Sequence, residues 1–226
     1  MNAQNPTAGH VKASWLKQLN TDLGARGFRG DGGGTYSRRV GEDLDVLTLP
    51  LHAAGRGETA VDLANPRVGV KIARVTDLLS ELRGGSDVTA LTWDESLRDV
   101  ASTSGATDLL ERDAAWFTVA DADDIGRGTQ ALLGLLDALA QPWWVSHKEL
   151  PTLCRQMEAA YKGRRLNKIE MMAVVAYLAG KRDLVEQVLG DHEKELVRIG
   201  SAHPGLEENR SWAVAMTALL SGSRPD

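Results

Sequence analysis

Residues 35–51 read Thr-Tyr-Ser-Arg-Arg-Val-Gly-Glu-Asp-Leu-Asp-Val-Leu-Thr-Leu-Pro-Leu, and how this stretch folds decides the class of the protein. Two short segments, Thr35–Val40 and Leu44–Leu51, flank the turn Gly41-Glu42-Asp43, the arrangement of a β-hairpin. Side chains alternate along a strand. Leu44, Val46 and Thr48 therefore share one face of the second segment, and Asp45, Leu47 and Leu49 share the other. Pro50 has no amide to donate to a ladder, so the strand is expected to fray or bulge there.

Upstream, Val11, Trp15, Leu16, Leu19 and Leu23 fall on one arc of a helical wheel, with Lys12, Lys17 and Asp22 outside it. This predicts a helix from about Val11 that ends at Gly24 or Gly27. The link from helix to hairpin is Phe28-Arg29-Gly30-Asp31-Gly32-Gly33-Gly34-Thr35-Tyr36. A phosphate-binding Walker loop needs a lysine after its last glycine, where Thr35 stands. A dinucleotide fingerprint needs a strand before the glycines and a helix after them, the reverse of this order. The stretch reads instead as a mobile link in which glycine supplies positive φ.

Downstream, Gly55-Arg56-Gly57 marks a turn, and Thr59–Leu63 and Val68–Ala73 are strand candidates separated by Asn65-Pro66. Val75–Leu82 reads as a short helix ended by Gly84-Gly85. Val88–Trp93 and Trp116–Val119 are further strand candidates, and residues 94–113 carry no dominant pattern. Asp121, Asp123 and Asp124 suit a helix N-terminus. Ile125, Leu132, Leu133, Leu135, Leu136 and Leu139 form the apolar arc of that helix, which Pro142 is expected to stop. Residues 147–161, 166–180, 182–198 and 207–221 read as four more helices, punctuated by Gly163, by Gly180 with Lys181, and by Pro204-Gly205. The expected fold class is α+β. An antiparallel β-meander sheet packed by helices occupies residues 1–145, and a helical subdomain occupies 146–226.

The motifs Gly27-Phe28, Tyr36-Ser37-Arg38, the strand Leu44–Leu49 and Leu139-Ala140-Gln141-Pro142-Trp143 occur in this order between residues 11 and 145. In order and spacing the chain resembles a small α+β family known as a domain of unknown function. Members of that family run from a first helix through a Gly-Phe turn and a Tyr-x-Arg strand into an antiparallel sheet. A helix ending in Leu-x-x-Pro-Trp follows. The resemblance implies an α+β fold and carries no activity and no catalytic residue. The chain departs from the pattern in its glycine-rich insert and at Pro50-Leu51-His52, where the strand would continue. Separately, Met172–Lys181 is similar to the helix–turn–helix of tetratricopeptide arrays. One such unit is not an array, because a stack needs several copies to bury its faces, so an ordinary helical hairpin is the preferred reading.

The chain has 226 residues, 42% of them hydrophobic and 25% charged, with a net charge of −5. Such a composition supports a sizeable core, and the acidic balance disfavours general nucleic-acid binding. The single cysteine, Cys154, points to a reducing, cytoplasmic setting. The N-terminus lacks the apolar run of a signal peptide. The most apolar stretch, residues 131–140, is too short to span a bilayer and holds Asp137, so no membrane association is expected.

Tests for chemistry-bearing motifs return no cofactor or metal. Asp121–Leu132 opens like a calcium loop but has Ile125 and Leu132 where the fifth and twelfth ligands belong. His192-Glu193 opens a zinc-protease pattern, yet Leu196 replaces the second histidine. Lys162-Gly163-Arg164-Arg165 with Lys168 is the one basic cluster, and a solvated loop is its preferred reading over an anion grip.

Trp143-Trp144 is the candidate partner-binding pair. Adjacent side chains diverge on a regular element, so one indole is expected to plug the sheet–helix junction, and the other either stands exposed as a partner anchor or, the preferred reading, covers the loop to the next helix. The sequence thus leads to the expectation of a non-enzymatic module that binds another protein. One form of such a module is an immunity protein neutralising a toxin made alongside it. The alternative is an enzyme whose site is assembled from His52, His147 and Cys154.

Overall fold

A computed structural model of the chain describes residues 7–54, 59–112, 118–163, 166, 168–199 and 206–222. In chain order the strands are β1 (Arg29–Gly30), β2 (Thr35–Val40), β3 (Asp43–Thr48), β4 (Leu51–Ala53), β5 (Val61–Leu63), β6 (Arg67–Lys71), β7 (Trp93–Ser96) and β8 (Thr118–Val119). The helices are α1 (Ala8–Gly24), α2 (Ala73–Leu82), α3 (Leu97–Ser104), α4 (Thr107–Arg112), α5 (Ala122–Leu135), α6 (Gln141–His147), α7 (Leu150–Lys162), α8 (Ile169–Leu178), α9 (Arg182–Ile199) and α10 (Leu206–Leu220), with a π-helical turn at Leu136–Ala140. The fold is α+β, with antiparallel sheets packed by helices. The chain divides into two compact units, residues 1–70 with 93–145, and residues 71–92 with 146–226. Residues 71–92, read from the sequence as part of the first domain, thus pack in the second unit. There α2 lies against α8 and α10.

In the first unit the hairpin forms as its turn predicts. β2 and β3 pair with Tyr36 opposite Leu47, Arg38 opposite Asp45 and Val40 opposite Asp43. Gly41 takes φ 65° at the first turn position, where a type II′ turn requires glycine. The core face carries Asp45, Leu47 and Leu49, all buried, so the face with the acid is the one turned inward. The expected single meander is instead two sheets, one ordered β1-β2-β3-β6-β7 and the other β4-β5-β8. Pro50 is the physical reason. It cannot donate to a ladder, β3 ends at Thr48, and the Pro50 carbonyl accepts from Ala64 N at 2.9 Å. The chain leaves the first sheet there, and β6 takes the place beside β3.

The glycine-rich stretch is a closed turn, not a mobile link. β1 pairs with β2, Arg29 opposite Ser37 and Gly30 opposite Tyr36. Between them Asp31 Oδ1 accepts from Gly33 N at 2.7 Å and Thr35 N at 3.0 Å. Those two bonds hold the Asp31 carboxyl below its usual acidity range. Gly34 has φ 102°, and a Cβ there would stand 2.5 Å from the Leu49 carbonyl oxygen.

α1 buries Val11, Trp15, Leu19 and Leu23, and Trp15 Nε1 donates to Thr129 of α5 at 3.2 Å. Asp121 caps α5 by accepting from Asp124 N at 2.8 Å, as the run of acids predicts. Pro142 does not stop the helix. The chain widens into the π-helical turn at Leu136–Ala140 and resumes as α6. Pro142, which cannot donate to the helical ladder, follows directly on that wider turn at the second position of α6. The expected strand Val88–Trp93 is also corrected. Regular pairing begins only at Trp93, and the Thr92 hydroxyl instead accepts from Ile72 N at 2.9 Å. Of Trp116–Val119, Thr118 and Val119 form β8; Trp116 and Phe117 lie outside the described residues, as does the Gly55-Arg56-Gly57 turn.

In the second unit α8 is buried at every position from Met171 to Ala176, as befits a helix that is apolar all round. It packs against α7, α9 and α2. Gly180, at φ 71°, closes it: Lys181 N reaches back to the Ala176 carbonyl and Gly180 N to that of Tyr177. No helix among the described residues is long and apolar enough to cross a membrane.

Candidate functional site

The scattered motifs on which the family resemblance rests converge on Arg38. Its Nη2 donates to Asp45 Oδ2 at 2.6 Å and to Gln141 Oε1 at 3.0 Å, and its Nε reaches Asp45 Oδ2 at 3.2 Å. The guanidinium lies 4.7 Å from the centroid of the Phe28 ring and 5.5 Å from that of Trp144. The Gly27-Phe28 turn, the Tyr-x-Arg strand, β3 and the segment ending in Pro-Trp each supply a member. Gly27 sits beside the Arg38 stem at φ 82°. Phe28, Tyr36, Asp45 and Trp144 are all buried. This cluster secures the hairpin to α6 by a charge-assisted bond under aromatic cover. It builds the core and leaves only part of Arg38 and Gln141 in reach of solvent.

Both tryptophans of the candidate partner-binding pair are buried, Trp143 at 5% exposure and Trp144 at 1%, so neither stands exposed as an anchor. The reason lies in the sheet beneath them. Trp143 Nε1 donates to Glu95 on β7 at 3.2 Å, and Trp144 Nε1 donates to the Gly69 carbonyl on β6 at 3.0 Å. β6 and β7 are neighbours, with Val68 opposite Glu95. The divergence of adjacent helical side chains is spanned by two adjacent strands.

The residues of the enzymatic alternative are distributed as follows. His52 is exposed on β4 in the first unit. His147 and Cys154 are buried in the second. His147 Nδ1 lies 3.0 Å from Ser146 Oγ. Burial, aided by Glu158, pushes the Cys154 thiol above its usual range, which disfavours the thiolate a nucleophile needs. Among the described residues no group of three or more His, Cys, Asp or Glu is arranged to hold a metal ion. None of the three suspects lines either cleft described below.

Each unit has an open cleft. That of the first unit, about 580 Å³, is lined by Asp62, Asn65, Ser96, Arg98, Asp99 and Thr118 over Leu63, Pro66 and Leu97. Its two carboxylates are held in place by hydroxyls: Thr118 Oγ1 donates to Asp62 Oδ1 at 2.6 Å, and Ser96 Oγ donates to Asp99 Oδ2 at 2.6 Å. Ser96 in return accepts from Asp99 N at 3.1 Å as the cap of α3. Asn65 stands at φ 48° beside them, a left-handed conformation that asparagine tolerates better than most residues. The cleft of the second unit, about 350 Å³, is lined by Arg83, Lys168, Glu170 and His192 over Leu79, Val88 and Met171. Both volumes fall in the range of small-ligand and side-chain pockets.

Sequence reasoning singled out neither cleft. The cap Ser96-x-x-Asp99 was legible as a local signal, but its partner acid Asp62 comes from a strand 34 positions earlier. Lys168 was noted as part of a basic loop. It is instead half-buried, with Nζ donating to the Leu91 carbonyl at 3.0 Å, while Arg164 and Arg165 lie outside the described residues. No family model, curated protein or solved structure matches the chain.

Proposed function

We propose that the chain is a non-enzymatic binding module whose partner is another protein, recognised through the cleft of the first unit. The observation that carries this reading is the pair of carboxylates, Asp62 and Asp99, each fixed by a neighbouring hydroxyl at the cleft wall. Acceptors held in place before binding lose little freedom on meeting a cation. On a chain of net charge −5 they suit a basic side chain presented by a partner, and long-range charge steers such an encounter. An immunity protein that neutralises a basic toxin made alongside it is the form of this role that best fits compact size and acidic charge. Kinship with the family resembled at Gly27-Phe28, Tyr36-Ser37-Arg38 and Leu139–Trp143 belongs to the same proposal. The convergence of those motifs on one buried cluster supports it.

The test is to express the product of the gene neighbouring this one, with and without this chain. The expected result is growth arrest relieved by co-expression and a complex of fixed stoichiometry on size-exclusion chromatography. Asp62→Asn should weaken that complex at least tenfold by titration calorimetry. A harmless neighbour that forms no complex, or a complex indifferent to Asp62→Asn, would overturn the proposal.

A further inference from the structure

Asp31-Gly32 is the one step in the sequence where a glycine follows an aspartate, and no glycine follows an asparagine. With no Cβ beside it, a glycine amide nitrogen is free to approach the carboxyl of the residue before it. The fold places this step in the turn between β1 and β2. There Asp31 Oδ1 accepts from Gly33 N at 2.7 Å and from Thr35 N at 3.0 Å, and Asp31 N donates to the Thr35 carbonyl at 2.9 Å. Attack on Cγ comes at the face of the carboxyl, whereas these bonds hold its edge towards Gly33 and Thr35. The same two bonds to Oδ1 favour the charged form, and an ionised carboxyl has no hydroxyl to lose as water. The closed turn therefore holds the reaction back on both counts. The turn is also poorly anchored. Asp31, Gly32 and Gly33 are exposed, and β1 has two residues at the edge of its sheet. Segments of this kind open at a free energy below that of global unfolding.

We propose that Asp31-Gly32 is a site of spontaneous isoaspartate formation, controlled by local opening of the β1 turn while the rest of the unit stays folded. In the open turn the protonated carboxyl presents Cγ to Gly32 N. A C–N bond forms, the Cγ–OH bond breaks, and the hydroxyl leaves as water with the amide proton. The product is a succinimide ring. Water then adds at the main-chain carbonyl carbon of Asp31, the bond from that carbon to Gly32 N breaks, and the chain is left running through Cγ. Only water takes part, and the mass is unchanged overall. The backbone is then one methylene longer at Asp31. The longer link no longer matches the pairing of Gly30 with Tyr36, nor the seat of Gly34, whose carbonyl accepts from Leu49 N at 2.8 Å. An aged chain thus loses β1 and bares the edge of β2. The inference concerns this turn and does not rest on the protein-binding role proposed for the cleft.

The experiment incubates the full folded chain in mildly acidic buffer, digests it with trypsin and follows the peptide Gly30–Arg38, released by cleavage after Arg29 and Arg38. Isoaspartate elutes apart from aspartate at equal mass, and electron-transfer fragmentation assigns the residue. The expected result is accumulation at Asp31 faster than at any other aspartate, yet about tenfold more slowly than in the chain unfolded in urea. The rate should stay flat across urea concentrations below the unfolding transition, as a local opening requires. Gly30→Ala should raise the rate about threefold. Its Cβ would stand 2.9 Å from the buried Tyr36 ring and 2.8 Å from Asn20 Oδ1, which prises β1 from β2. Should that variant fold poorly, the urea dependence decides alone. The proposal is overturned if the folded chain shows no isoaspartate at Asp31 in the time that converts half of the unfolded chain, or if it ages as fast as the unfolded one. A rate that climbs with urea in step with global unfolding, or a folded Gly30→Ala chain that ages no faster, overturns it equally.

Discussion

Arg38–Asp45 in the first unit and Arg83–Glu170 in the second are the same chemical pair in two settings. Asp45 is 1% exposed, and its arginine is covered by two aromatic rings and bonded to Gln141 as well. Glu170 and Arg83 stand in the wall of an open cleft, the arginine side chain 28% exposed. Solvent reaches the second pair more than the first: the side chains of Arg38 and Asp45 are 19% and 1% exposed, those of Arg83 and Glu170 28% and 15%. An ion pair stripped of water offsets its desolvation only through added bonds and close cover, and it becomes a liability when one partner is lost. A pair in reach of solvent gains less and loses less. The first is therefore suited to pinning one architecture, the second to exchanging partners.

The most severe way to break this comparison is to remove the cover. Trp144→Ala deletes a fully buried indole, its bond to Gly69 and its contact with the guanidinium, and should cost about 4 kcal/mol, read by urea denaturation. Asp45→Asn keeps the shape but leaves a part-buried guanidinium without its counter-charge. A loss of about 3 kcal/mol is expected, with little relief from added salt. Glu170→Gln makes the corresponding change in the second unit and should cost about 1 kcal/mol, decreasing as ionic strength rises. Equal losses from the last two variants would erase the distinction between the pairs.

The smallest expected effects sharpen the contrast with tyrosines. Tyr36 and Tyr161 are both pushed up to about 12, for different reasons. Tyr36 is raised mainly by burial, with the Asp31 charge adding to it, and its hydroxyl has no hydrogen-bond partner among the described residues. Tyr161 is raised by burial and by its bond to Asp191 Oδ2 at 2.6 Å. In both, the folded state keeps its proton after the unfolded chain, titrating near 10.0, has lost it. Their contribution is thus fully present below pH 10 and is lost as pH rises towards 12. Denaturation midpoints measured across that window should fall. Tyr36→Phe should remove part of the fall and leave neutral-pH stability unchanged or raised by up to about 1 kcal/mol, because it deletes an unpaired polar group. Tyr161→Phe should lower neutral-pH stability slightly, because it deletes a made bond. Absorbance at 295 nm should show one fewer late-ionising phenol in each variant.

Much of the architecture was legible because its signals are local. The turn at Gly41, the acids before α5 and Gly180 after α8 act on their immediate neighbours, and the elements they bound form where expected. What escaped the sequence depends on pairs far apart in it. Pro50 announces an interruption but not that β6 will take the vacated place beside β3. Val88–Trp93 is rich in β-forming residues, yet the Thr92 hydroxyl takes up the Ile72 amide, a contact no propensity encodes. The two indoles could be assigned inward only once Gly69 and Glu95 were known to lie on adjacent strands. The clefts were illegible for the same reason. Asp62 meets Thr118, and Arg83 meets Glu170, through the fold alone.

The π-helical turn at Leu136–Ala140 sets the rotational phase of everything after it. Such a turn holds one residue more than an α-helical turn, so α6 emerges rotated relative to a straight continuation of α5. In that phase Trp143 and Trp144 meet β7 and β6. Excising Ala138, an exposed position within the wide turn, would leave the composition of the core intact yet swing both indoles by about 100°, away from the strands they now cover. The segment is tuned in its residue count, and a one-codon deletion there should do more harm than most substitutions.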